Sequence, residues 1–196
     1  MSKFLGPIHF WLYNKIQFQE ALIDAVVAAA EKEGWKETDW TAYQSQDHRK
    51  LDDVIDESNI HGWLQSRIHD AETRYAALVL QLTAADASRL DVIKKAIYDL
   101  GAARQLQVAT APEAFHQLDD LLLDGMSCDQ INRVTSSIDD RITWLQTRDI
   151  HSIYWKDNGS YYYDLRQALI EGLLSNTDFA FSRQADGTNE IARKAA

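Results

Sequence analysis

Two histidines of this chain sit in the same local sequence. Ile8-His9-x-Trp11-Leu12-xxx-Ile16-xxx-Glu20 and Ile60-His61-x-Trp63-Leu64-xxx-Ile68-xxx-Glu72 agree at six of thirteen positions, at an offset of 52 residues. That is the pattern of an internal repeat. Neutral imidazole suits zinc, iron and nickel, and three such ligands leave a fourth position open for water. Within each copy the histidine and glutamate are eleven residues apart, ~16 Å along a helix, so one ion cannot hold both. The ligands must therefore come from different helices. His9, His61 and His151 are the candidate metal ligands. Glu20 and Glu72 are the candidate catalytic carboxylates, either orienting the ligands or taking a proton from metal-bound water. Such a site would serve hydrolysis or group transfer on a small molecule. The alternative is a non-catalytic interaction or oligomer-forming protein without metal, in which each histidine is a satisfied core residue and Trp35, Trp40 and Trp63 bury against a partner or a second copy of the chain.

Other spacings are weaker. Glu113-xx-His116-xxx-Asp120 places three ligand types on one helical stripe, but only one copy exists and Glu113 already completes a capping box with Thr110. Asp52-Asp53-xx-Asp56 and Asp119-Asp120-xxx-Asp124 read as solvated acids on short helices. Cys128 has no histidine in its local sequence to activate it and reads as a structural thiol.

The elements that must position these groups are helices. Apolar residues recur at helical spacing from Ile8 to Glu33, and Gly34 provides a stop. From Trp35 to Asn59 the periodicity fades over about 25 residues, long for adjacent antiparallel helices, so this segment reads as a crossover. Asn59 caps a second helix running to Leu82, and Leu90, Ile93, Ile97 and Leu100 mark a third. Thr110-Ala111-Pro112-Glu113 opens a short helix. Ser127-Cys128-Asp129-Gln130 opens another, with Ile131, Val134, Ile138, Ile142 and Leu145 on one face and Trp144, His151 and Trp155 on the other. Tyr161 to Ser175 completes the set, and Phe179 to Ile191 reads as a small hairpin turning at Asp186-Gly187. The expected fold is all-α: one domain over 1–196, a bundle of five to six helices, with the crossover at about 35–59 and the hairpin or tail at about 177–196.

Composition narrows the class. The chain has 196 residues, 30 acidic and 20 basic, for a net charge of −10. A surface this acidic repels phosphate backbones and anionic lipid headgroups, so neither nucleic acid nor membrane is an expected partner. One cysteine excludes an intramolecular disulfide, and Met1-Ser2-Lys3 leads into no apolar leader core. A cytoplasmic protein is expected.

A helical bundle with His9, His61 and His151 near helix ends resembles the hemerythrin-like and DinB-like four-helix metal-binding families. His48-x-x-x-Asp52 and His116-x-x-x-Asp120 are approximate echoes of the hemerythrin-like His-x-x-x-Glu pair, while the DinB-like His-x-x-x-His pair has no counterpart. The resemblance implies a divalent metal (zinc, iron or nickel) on a histidine triad, with thiol-transfer or hydrolytic chemistry.

Overall fold

The computed structural model describes residues 5–195, so Met1–Lys3, on which the leader reading rests, lie outside it. Helix α1 spans Pro7–Lys32 and α2 spans Ile60–Ala85. Proline in the first turn of α1 costs no hydrogen bond, because that N–H would be unpaired in any case. Gly34, at φ +72°, takes the left-handed position that ends the helix, and the Trp35 N–H returns to the Ala30 carbonyl. Asn59 caps α2 by accepting from the Gly62 N–H.

The two helices run parallel. His9 meets His61 near their N-terminal ends, and Glu20 meets Arg74 further along both. Residues 33–59 cross back over the pair, pinned by the buried Trp40 and Leu51 and by two bonds to the connection's backbone: Tyr13 Oη donates to the Arg49 carbonyl, and Arg74 donates to that of Tyr43.

Helix α3 (Arg89–Ala102) lies against α5 (Gly159–Leu173), and α4 is short (Ala111–Asp119). The contact of α3 with α5 is backbone to backbone. A Cβ on Gly101 would stand 2.6 Å from the Leu169 carbonyl oxygen, so only glycine permits that approach.

The all-α expectation fails in the segment after α4. Residues expected to form a two-faced helix are instead two strands, β1 (Asn132–Ile138) and β2 (Arg141–Gln146), joined at Asp139-Asp140. With β3 (Phe179–Arg183) and β4 (Thr188–Arg193) they form one antiparallel sheet in the order β1-β2-β4-β3. The fold is mixed, with five α-helices and four strands among the described residues, rather than a helical bundle with a small hairpin. The physical reason is local. Asn132 to Gln146 is dense in Val, Ile, Thr and Ser, which fit a pleated surface and crowd a helix. The spacing of Ile131, Val134, Ile138 and Ile142 imitated a helical stripe, whereas the working period is two: Ile142 and Trp144 point into the core, and Arg141 points out. Ile138, at the hairpin end of β1, is 61% exposed.

The main core lies between the helices and the inner face of the sheet, where Ile142, Trp144, Phe179 and Ile191 meet α4 and α5. A second, smaller core around Leu12, Ile16, Leu64 and Ile68 joins the N-terminal halves of α1 and α2. Val134 pairs with Trp144 and so shares its inner face. Yet β1 is the sheet edge, and Val134 stays 44% exposed. A cleft opens beside this strand, between it and the helices α1 and α4.

Candidate functional site

The parallel start of α1 and α2 brings His9 and His61 together, with Nε2 atoms 3.4 Å apart. The third turn-forming residue of α1 is His9 itself. Its backbone N–H donates to the Gly6 carbonyl at 2.9 Å, and its Nδ1 accepts from the Gly6 N–H at 2.9 Å. The imidazole thus plays the part that Glu or Gln plays in a capping box. A neutral ring whose Nδ1 accepts must carry its hydrogen on Nε2, leaving no lone pair there. A metal ligand needs the reverse arrangement, with the far nitrogen donating outward. His9 as placed does not fit a metal ligand. The pair is a hydrogen bond from His9 Nε2–H to His61 Nε2.

His151 lies elsewhere. Its Nδ1 is 3.0 Å from Glu72 Oε1, and Glu72 is ~16 Å further along α2 than His61. The three imidazoles therefore do not share a site, and among the described residues no group of three or more His, Cys, Asp or Glu is placed to hold an ion. Glu20 is likewise apart, held by two nitrogens of Arg74.

Around His151 the chain builds a buried charge network. The ring is 1% exposed and stacks on Tyr162 with centroids 4.0 Å apart. Its Nε2 faces Asp124 Oδ1 at 3.3 Å and Tyr162 Oη at 3.0 Å. Arg166 donates two bonds of 2.8 Å to the Asp124 carboxylate, and Asn132 Nδ2 adds a third at 2.7 Å. With a carboxylate facing each ring nitrogen, the site favours the imidazolium form of His151. Burial alone would push its pKa down, but Glu72 and Asp124 carry it up to about 9. Burial opposes the charge of Asp124 too, and Arg166 with His151 nevertheless holds that carboxyl far below the usual range. Two anions (Glu72, Asp124) and two cations (His151, Arg166) balance, the condition under which buried charges persist.

Asp124 is also where this network reaches the surface. A cleft of about 720 Å3 is lined by Trp11 and Lys15 of α1, Phe115 and Asp119 of α4, residues 124–126 and 129–131, and Asn132 and Val134 of β1. That size suits a small organic ligand. Trp11 and Lys15, four residues apart, share one face of α1. The Lys15 ammonium lies 3.5 Å from the Trp11 ring centroid, and Trp11 Nε1 donates to Asp120 at 2.8 Å. Lys15 is 3% exposed, and its only carboxylate partner among the described residues is Asp119, at 3.3 Å. Burial pushes its pKa down, and Asp119 and Asp124 only partly restore it.

No motif pointed to this cleft: Trp11 belongs to the histidine repeat, and Asp119 and Asp124 read as solvated acids. Lys15 carried a signal nonetheless, as a base on the stripe of Leu12, Ile16 and Gln19 that α1 buries. Asp124, read with Asp119 and Asp120 as a solvated acid, is the anchor of the network and its side chain is 8% exposed. Arg166 and Tyr162, one turn apart on α5, could have been paired with it only through the tertiary fold.

Comparison of the chain with protein-family models, curated proteins and solved structures finds no match.

Proposed function

We propose that this is a small-molecule-binding protein whose ligand occupies the cleft between α1, α4 and β1. The observation that carries this reading is Lys15, an amine almost wholly removed from water at the wall of an open cleft, with a single carboxylate beside it. Taking an ammonium out of water costs several kcal/mol unless it is fully paired. Lys15 therefore stores a cost that packing alone does not require, since Leu or Met would fill the same stripe. Trp11, Phe115 and Val134 provide apolar and aromatic surface for the ligand's body. The His151 network provides stiffness, because Asp124 ties the cleft wall to α5 and, through His151, to α2.

The reading differs from a metal-dependent hydrolase in asking nothing of His9 and His61, whose hydrogen bonds are already assigned. Nile red, a neutral dye that brightens in apolar surroundings, tests it. Fluorescence titration should give one saturable site per chain, lost when Val134→Trp fills the cleft from the sheet edge. An unchanged isotherm in a Val134→Trp variant with native circular dichroism would reject the cleft as the binding site.

A further inference from the structure

We propose that Lys15 is a nucleophilic amine that condenses with an aldehyde or ketone ligand in the cleft to form an imine. This rests on the cleft reading above and names its ligand class. The alternative role for a lysine in a cleft is to hold an anion, and the surroundings argue against it. Asp119, Asp124 and Asp129 line the same cleft, Asp120 is bound to the Trp11 indole, and the other base lining the cleft is Arg133. Asp124 is paired with Arg166 and His151 and Asp129 with Arg148, so what bars an anionic head is Asp119, which it would have to displace from the Lys15 ammonium; a neutral carbonyl displaces no charge. Burial in this position also favours the uncharged amine, which is the nucleophilic form.

Asp119 Oδ1, 3.3 Å from Nζ, is placed to carry the protons. It takes one from the ammonium, leaving a free amine whose lone pair attacks the carbonyl carbon as the C=O π pair moves to oxygen. One N–H proton then moves from nitrogen to that oxygen, giving the carbinolamine. Asp119 returns its proton to the hydroxyl, the C–O bond breaks, water leaves, and the nitrogen lone pair closes the C=N bond. The sum is Lys–NH3+ plus O=C giving Lys–NH+=C plus water, with the carboxylate restored and no oxidant or reductant consumed. The product keeps one positive charge against Asp119 and beside the Trp11 ring, so the cationic iminium inherits the partners of the ammonium.

The test is reductive trapping of the whole chain with benzaldehyde and sodium cyanoborohydride at neutral pH, read by intact mass and peptide mapping. The expected result is one benzyl group, on Lys15, introduced about tenfold faster than on the exposed Lys95, as a pre-positioned amine requires. Asp119→Asn, which removes the carboxylate beside Lys15 and is therefore compared at native circular dichroism, should slow the labelling of Lys15 about tenfold while leaving Lys95 unchanged. Labelling that spares Lys15, or that proceeds there no faster than at Lys95, overturns the proposal. If Nile red still binds and is lost with Val134→Trp, the cleft reading stands and only the imine falls. If Nile red binding is indifferent to Val134→Trp, the cleft reading falls on its own evidence, whatever the labelling shows.

Discussion

The raised pKa of His151 predicts that this protein loses stability as pH rises into the alkaline range. In the unfolded chain a histidine titrates near pH ~6.5, and in the fold its pKa is raised to about 9. A raised cationic pKa stabilises the fold fully below the unfolded value, and that stabilisation is lost as pH rises through the folded one. The difference corresponds to about 3 kcal/mol, surrendered between roughly pH 6.5 and 9. For a domain of this size that is a large share of a total of ~5–15 kcal/mol. Lys15 works with the opposite sign. Its pKa is lowered, so the fold gains stability as pH rises through the lysine's folded value. The measurement is therefore best made in a Lys15→Met background. Urea denaturation at pH 6.5, 8 and 9.5 should show stability falling across the series. Replacing both partners, Glu72→Gln with His151→Gln, removes the titrating pair without stranding a charge and should flatten the slope. Nitrogen-detected NMR should find both His151 ring nitrogens protonated at pH 8. A stability of the Lys15→Met variant that is level or rising from pH 6.5 to 9.5, or a His151 ring neutral at pH 8, would refute the argument that two carboxylates outweigh burial.

Zinc, nickel or iron should leave the melting temperature unchanged, because the His9 Nδ1 that accepts from Gly6 commits Nε2 to a hydrogen; a rise with added metal, reversed by chelator, would contradict that tautomer. His9→Ala should cost about 1 kcal/mol by removing that cap, measured by urea denaturation. Gly101→Ala should cost about 1–3 kcal/mol by forcing α3 away from α5, where its Cβ would stand 2.6 Å from the Leu169 carbonyl oxygen. Leu64→Ala, at a fully buried position in the smaller core, should cost about 2–5 kcal/mol in the same assay.

What the sequence made legible follows from where period and burial coincide. In α1 and α2 the stripe of Leu12, Ile16, Leu64 and Ile68 is both helical and buried, so the helices and their common register could be read directly. The repeat at offset 52 carried real geometry, since it set His9 against His61. Chemistry did not follow from it, because the donor that occupies His9 Nδ1 is the backbone N–H of Gly6, which leaves no trace in residue type. In the β1–β2 hairpin two periods competed. Apolar residues every three or four positions suggested a helix, while the β-branched and hydroxyl residues among them favoured strands, and pairing with β4 decided the matter. The His151 network was illegible for a different reason. Its members come from α2, the 124 segment, the 151 turn and α5, and only the tertiary fold brings them together.

The crossover between α1 and α2 also shapes how the protein reaches its native state. Helices that start at the same end cannot zip together from a tight turn. The chain must first close a loop as long as residues 33–59 plus a full helix before His9 and His61 meet, and closure entropy grows with that length. The hairpins β1–β2 and β3–β4 need only short closures and can form early. Assembly of the smaller core around Leu12 and Leu64 thus needs a longer closure than either hairpin, and substitutions there should act on the refolding rate to the extent that the core is formed at the barrier. The two aspartates at the β1–β2 turn and the irregular register between Val134 and Ser136 meanwhile discourage that early edge strand from adding to another chain while the rest of the fold is incomplete.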